Sequence, residues 1–324
     1  MDKASKKGKM LRSSTGRWCQ AFEHVGTSGG ERSRKSRSHH PSTRRCSKLV
    51  AGRASASPTG KDSSGKNSQR SVLILPGFGN NAGDYDELVA DLVKRSEGAL
   101  HVSTVDVARL DWFRNVAGLT TSDYWKGTLK PRPTLDWYLT KVQKKIEEAQ
   151  EETGGGPITF VGHSAGGWLG RTYLAEVQPP LEAKVDCFIS LGSPQLAPPK
   201  DASGIVDQTR GILTWVNEAS PGAYHEDVKY ISICSKCIKG AKLNAEGATI
   251  EEKITGQGYK QVCGNADVWG DGIVPLPSAH LDGALQIDYE GIYHSPIGRG
   301  DRPWYGSSEV VDKWFQYIYV SQNV

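Results

Sequence analysis

The sequence predicts an α/β fold, a mostly parallel central sheet with helices on both faces and lid-like insertions. Three observations lead there. Short, continuous apolar runs end at Pro or Gly, which is how strands buried on both faces read. Segments with apolar residues at helical spacing lie between them. Strand-like and helix-like segments alternate from residue 71 to the C-terminus, the pattern of a parallel sheet with crossover helices.

The first strand is Ser71-Val-Leu-Ile-Leu-Pro76, followed by a Gly/Asn loop and an amphipathic stretch near Asp84–Arg95, with Leu88, Val89, Leu92 and Val93 on one side. A second strand is read at His101–Val107. Thr134–Glu152 is a long helix, with Thr134 as N-cap and Gly154-Gly-Gly156 as its stop. Pro157-Ile-Thr-Phe-Val161 is a buried strand running into Gly162, and a helix over Trp168–Val177 follows. Further strands are read at Val185–Leu191, Val228–Cys234 and Leu285–Tyr289, and an amphipathic helix over Glu309–Tyr319 closes the chain. Residues 195–227 and 238–270 are long connections, of the kind that build lids and substrate walls.

Charge is unevenly spread. Residues 1–70 hold 17 Lys+Arg against 4 Asp+Glu, whereas 71–324 hold 23 against 32, so the net +4 is a basic stretch on an acidic body. The basic stretch is rich in Ser, Arg, Lys and Gly and poor in large apolar residues. It is expected to be a disordered tail, since it buries too little to offset its ordering entropy, and a single α/β domain is expected over 71–324. Its Arg- and Ser-rich, acid-poor composition fits an organellar transit peptide, for the chloroplast ahead of the mitochondrion; a solvated cytoplasmic arm is the alternative. An acidic body argues against nucleic-acid binding. No apolar run approaches the ~18 residues of a membrane span, which leaves peripheral membrane contact as the form a lipid association would take.

Six cysteines, at 19, 46, 187, 234, 237 and 263, are too dispersed for a disulfide scaffold. Cys234-Ser-Lys-Cys237 closes a strand rather than opening a helix, and only Cys263 offers a third metal ligand, so these read as structural thiols with no metal. No phosphate-loop, dinucleotide or flavin pattern is present, and no cofactor is implied.

Gly162-His163-Ser164-Ala165-Gly166 matches G-x-S-x-G in the right context, after a buried strand and before a helix. Glycines allow the sharp strand-to-helix turn that lifts a serine hydroxyl above the sheet, and the helix N-terminus faces the nascent oxyanion. Serine needs a base oriented by a third group, and such elbows take their partners in the chain order Ser, Asp or Glu, His. His294 follows the strand at Leu285–Tyr289 and is the expected base. His280 precedes that strand and is second choice, His225 is out of order, and His163 is a neighbour of the nucleophile. The expected acid is Asp271, whose flanking glycines let the backbone bend; Asp267 and Asp282 are alternatives, and Asp288 reads as a strand's solvent face. Backbone N–H groups of Ala165 and Phe78 are the expected oxyanion hole. Trp112, Phe113, Ile212 and Trp215 are candidate walls of an acyl site.

Taken together, Leu75-Pro-Gly-Phe78, the serine motif, Leu191-Gly-Ser-Pro194 and Gly270-Asp-Gly-Ile-Val-Pro275 resemble the α/β-hydrolase superfamily, in its lipase-like branch. Within it the chain is most similar to plastid-type plant and algal α/β-hydrolases, through Asp111-Trp112, Tyr124-Trp-Lys-Gly127, Pro131-Arg-Pro133 and Gly256–Gly264, and more distantly to GPI inositol-deacylase-like proteins. Two positions depart from lipases: Pro76 and Gln195 stand where many have His, and both are expected on the substrate side. The resemblance implies a serine hydrolase cleaving a carboxylic ester, small-molecule or lipid, through an acyl-enzyme. An acyltransferase or amidase with the same triad and a non-catalytic binding module are the alternatives.

Overall fold

Strands and helices alternate along the chain. In the computed structural model the described residues are 59–61, 67–177, 184–199, 204–297 and 300–319, all within one unit spanning 54–324. In order they form β1 (Thr59–Lys61), β2 (Asn67–Leu75), α1 (Asp86–Arg95), β3 (Leu100–Thr104), α2 (Ser122–Lys126), α3 (Asp136–Thr153), β4 (Ile158–His163), α4 (Ala165–Glu176) and β5 (Val185–Leu191). Then come α5 (Ile212–Ala219), β6 (Lys229–Lys236), β7 (Ile238–Lys239), α6 (Ile250–Cys263), β8 (Trp269–Gly270), α7 (Leu276–Ala279), β9 (Leu285–Glu290) and α8 (Ser308–Trp314).

Six strands pair in parallel in the spatial order β3-β2-β4-β5-β6-β9. The sheet therefore turns back on itself between β2 and β4, because β3 crosses to the outer side of β2 while later strands are added on the other. In open parallel sheets such a reversal leaves a crevice at the carboxyl ends of the two strands, where ligands bind. The loops leaving β2 and β4 are Pro76–Asn80 and the serine turn at Ser164.

Alternation along each strand sorts the core into two layers. Leu73 and Leu75 of β2 face α3, α4 and α5 through Tyr138, Leu139, Val142, Leu169, Tyr173 and Val216. Val72 and Ile74 face α1 and α8 through Leu88, Leu92, Val310, Val311 and Trp314. All eleven of these helix residues are buried. Among the described residues no helix is long and apolar enough to cross a membrane.

Several boundaries differ from the sequence reading. The first strand starts at Asn67 rather than Ser71 and pairs antiparallel with β1, so the sheet reaches into the stretch taken as basic tail. Arg70, counted there as a solvated charge, is buried and makes a two-pronged ion pair with Asp186 of β5 at 2.5 and 2.7 Å. Composition treats every cation as hydrated; a partner 116 residues away is supplied only by folding. Residues 1–58 and 62–66, where the rest of the tail and its targeting role would lie, are outside the described residues. Thr134 does not cap α3: a tight turn closed by Leu135 N–H on Pro131 O (2.7 Å) precedes it, and Leu135 takes the cap position. The 238–270 connection contains α6, whose start carries a reciprocal Thr249–Glu252 capping box that was readable as T-x-x-E.

Helix α4 sits unusually close to the end of β2. A Cβ on Gly166 would lie 2.0 Å from the Leu75 carbonyl oxygen and 2.7 Å from its carbon, both backbone atoms that cannot swing aside. Gly166→Ala is therefore expected to cost at least the upper part of the roughly 1–3 kcal/mol typical of overpacking. At about 2–4 °C per kcal/mol for a domain of this size, thermal unfolding should fall by several degrees. An unchanged midpoint would mean that α4 does not approach β2 this closely.

Candidate active site

Strand β4 is buried along its whole length and ends at the serine turn. Ser164 has φ 53° and ψ −126°, a backbone conformation that non-glycine residues rarely adopt. Its N–H donates to Leu191 O (3.0 Å) and its carbonyl accepts from Gly167 N (3.1 Å), which holds the turn between β5 and the first turn of α4. Strain of this kind costs on the order of 1–3 kcal/mol and persists only where neighbours enforce it. Its effect is to leave Ser164 half-buried while β4 and Ala165 around it are buried.

Asp271 and His294 meet on the far side of that turn. His294 Nδ1 lies 2.8 Å from Asp271 Oδ2, and His294 N donates to Asp271 O at 2.9 Å, so side chain and backbone are both registered. Asp271 is fully buried, and its Oδ1 accepts from the N–H groups of Ile273 (3.0 Å) and Val274 (2.7 Å), which the turn after β8 directs inward. With Nδ1–H committed to the carboxylate, the imidazole presents Nε2 as its free, basic nitrogen. Gly192, one residue past the Leu191 carbonyl that holds Ser164, has φ 53°, and a Cβ there would sit 2.4 Å from Asp271 Oδ2 and 3.1 Å from His294 Nδ1. The serine turn and the acid–base pair are thus brought to the same end of β5.

The loop after β2 closes the third side. A Cβ on Gly77 would lie 2.6 Å from Ser164 Cβ, so the loop passes directly over the serine. The N–H of Gly77 is taken by the Tyr85 hydroxyl (3.0 Å). Among the described residues no acceptor holds the N–H of Phe78 or of Ala165, the first residue of α4. The Phe78 ring is exposed and packs on Trp112 with centroids 5.2 Å apart.

His163 is woven into the scaffold rather than aimed at a ligand. The Tyr85 oxygen accepts from Gly77 N and from Asn80 Nδ2 (3.2 Å), so its own proton goes to His163 Nδ1 (2.8 Å). His163 Nε2–H then donates to His294 O at 2.8 Å. One buried chain of hydrogen bonds therefore ties the loop after β2, the serine turn and the backbone of His294. It requires a neutral ring, and burial, followed by the nearby His294, pushes the His163 pKa from 6.5 down to about 3. Because the folded value is depressed, stability is fully present above about pH 6.5 and is lost as pH falls toward 3, by up to about 1.4 kcal/mol per pH unit. His163→Leu is expected to be less stable at pH 7 but to show a flatter dependence of melting temperature between pH 6 and 4. An unaltered slope would remove His163 from that role.

Comparisons with known proteins bear on this arrangement. A family model of the alpha/beta hydrolase fold matches residues 70–221, from β2 through the serine turn to α5. The chain has the α/β-hydrolase fold. Solved structures similar to this chain include a gene product, lin2722, of Listeria innocua, at 14% identity and TM-score 0.47, covering 79% of this chain and 96% of that one. The mature lipase BlEst2 of Bacillus licheniformis has 12% identity and TM-score 0.46, over 78% of this chain and 92% of the other. A soluble variant of monoglyceride lipase from Saccharomyces cerevisiae has 15% identity and TM-score 0.42, over 78% and 86%. No curated protein matches the chain.

Other candidates of the sequence reading fall elsewhere in the fold. His280 bonds Ser232 Oγ (3.2 Å) and Asp288 (2.7 Å), a group at the β6–β9 edge whose serine is buried within the sheet. His225 pairs with Tyr230, and Asp267 with Lys239. The carbonyl of Asp282 accepts from Ala223 N. Pro76 and Gln195 are both buried, and Gln195 accepts from Arg171 through its carbonyl and side chain. Arg171 is itself buried, with Asn217 Oδ1 and Ser220 O as further acceptors, and burial lowers its pKa to about 10, which leaves it charged. Of the acyl-site candidates, Ile212 and Trp112 are buried in the core and Trp215 packs against it; Phe113 is exposed. Cys187, Cys234, Cys237 and Cys263 are free thiols, and no cluster of metal-ligating side chains occurs among the described residues. Cys19 and Cys46 are outside them.

Sequence reasoning missed three residues that hold the site: Tyr85, Tyr305 and Trp304. The Tyr305 hydroxyl donates to Asp271 Oδ2 at 2.9 Å, and the Trp304 ring packs against His163 with centroids 5.5 Å apart. No local motif marks them, because their partners lie on other strands.

Proposed function

We propose that the protein is a serine hydrolase that cleaves a carboxylic ester through an acyl-enzyme, with Ser164 as nucleophile, His294 as base and Asp271 as the group that orients it. The observation that carries this is the 2.8 Å Asp271–His294 contact at the end of β5 beside the strained, accessible Ser164. His294 Nε2 takes the Ser164 proton as Oγ bonds to the ester carbonyl carbon. The carbonyl electrons move to oxygen, where the N–H groups of Phe78 and Ala165 receive them, each donor contributing about 2.7–4 kcal/mol of barrier lowering. Collapse expels the alcohol, which takes the proton from His294, and water repeats the sequence to release the acid.

Apolar surface beside the loop after β2 favours an ester with an apolar acyl chain, from a small molecule or a lipid. The segment Arg109–Thr120 is a 3₁₀ helix, in which residues three apart line up. Trp112, which packs against Phe78, and Gly118 fall on its buried side, and Leu110, Phe113, Val116 and Leu119 form an exposed apolar row. An aryl or alkyl fluorophosphonate tests the reading. It is expected to label the native protein on the peptide containing Ser164, and a lipid extract should lose ester species on incubation. Failure to label under conditions where the protein is folded would sink it.

A further inference from the structure

We propose that Tyr305 sets the proton affinity of His294 by sharing the Asp271 carboxylate oxygen with it. This rests on the assignment of His294 as base and adds a positioning residue that lies outside the triad.

Asp271 Oδ2 accepts from two donors, His294 Nδ1 at 2.8 Å and the Tyr305 hydroxyl at 2.9 Å. Oδ1 is occupied by the N–H groups of Ile273 and Val274. All four acceptor positions of the carboxylate are therefore filled, and the two donors on Oδ2 draw on the same charge. Tyr305 is fixed in this role from several sides. Its ring is fully buried, its carbonyl accepts from Trp314 Nε1 of α8 (2.9 Å), and its Cε2 would lie 2.7 Å from a Cβ on Gly192. Burial first, and then the charge of Asp271, hold its phenol well above the usual range, so it stays a donor.

The other groups facing the pair are neutral near pH 7. From β4 comes His163, with ring centroids 5.0 Å from His294. Cys234 of β6 and Tyr259 of α6 sense the Asp271 charge, as do Tyr293 and Cys237, and burial raises all four. Farther out, Arg302 lies over the Tyr293 ring and pairs with Glu251, opposite charges that offset one another. Asp271 is thus the charge that acts on the imidazole, and Tyr305 is the neutral donor that moderates it. Removing the hydroxyl concentrates the carboxylate charge on His294 and favours the imidazolium, so the imidazole ionises at higher pH.

Tyr305→Phe keeps the ring and deletes the donor. Titration of the His294 imidazole by NMR is expected to move upward by roughly half a pH unit or more. The acid limb of the ester-hydrolysis profile should move with it. Tyr173→Phe deletes a buried hydroxyl from the opposite core layer and should leave the His294 titration where it is. Incorporating 3-fluorotyrosine at position 305 makes a stronger donor and should move the titration the other way, a test that holds if Tyr305→Phe folds poorly. An unmoved titration, or shifts of the opposite sign, would overturn the proposal. Because the imidazole titrates without turnover, this outcome is separable from the hydrolase reading, which stands or falls on labelling of Ser164 in the native protein.

Discussion

Ser164→Ala is expected to lower kcat for a short p-nitrophenyl ester by about a million-fold, the scale seen when a serine nucleophile is removed from a working triad. In the proposed reaction the hydroxyl becomes bonded to the substrate, and neither the Asp271–His294 pair nor the Phe78 and Ala165 amides can replace that bond. Alanine meets the same φ of 53° that serine does, so the melting temperature should scarcely change. Stopped assays on matched, folded protein would measure both. Retained turnover would show that the ester is cleaved elsewhere.

Asp271→Asn should also slow the reaction severely, about ten-thousand-fold, and unlike the serine variant it should destabilise the fold. The rate effect follows from the tautomer: an amide N–H at the Oδ2 position would turn His294 Nδ1 into an acceptor and place the proton on Nε2, where the base is needed. The stability effect follows from the filled carboxylate. Four donors converge on Asp271, two backbone N–H groups on one oxygen and His294 with Tyr305 on the other. An amide with its NH₂ toward Ile273 and Val274 faces two N–H donors that cannot accept, and with its NH₂ toward Oδ2 it forces His294 and Tyr305 to reverse their roles; each buried polar group left unpaired costs about 1–3 kcal/mol. Kinetics with thermal unfolding would separate the two effects. A variant slow but as stable as the parent would mean that water or a turn rearrangement relieves the clash.

Both expectations depend on the site being rigid before substrate arrives. The chain Gly77–Tyr85–His163–His294 fixes the loop after β2 against the serine turn and the His294 loop without engaging the Ser164 hydroxyl or the His294 ring. Arg171 plays a comparable part on the other side of the sheet, gathering the Gln195 and Ser220 segments onto α4 with a buried charge matched by neutral acceptors. These are the places where an apolar core alone would leave the loops free to drift.

The serine motif, with which the functional reading begins, shows what local sequence can determine. Gly162–Gly166 announces a tight turn because only small residues tolerate the approach of α4 to β2, and the flanking apolar strand and helix periodicity are local patterns read over ten or so residues. The same holds for β5, whose observed bounds are those expected, and for Asp271, whose turn is closed by N–H groups two and three residues away. Other features join residues distant along the chain: Arg70 with Asp186, Tyr85 with His163, Tyr305 with Asp271, and His280 with the buried Ser232 rather than with Ser164. Those pairings follow from the order β3-β2-β4-β5-β6-β9, which brings strand ends together irrespective of their separation in sequence. The sequence by itself determined the main sheet strands, most of the helices between them and the serine turn, because periodicity and glycine sterics act within a few residues. Only the tertiary structure decided which tyrosines, carboxylates and histidines share hydrogen bonds, because burial withdraws each from water and leaves it whatever partner the sheet places opposite.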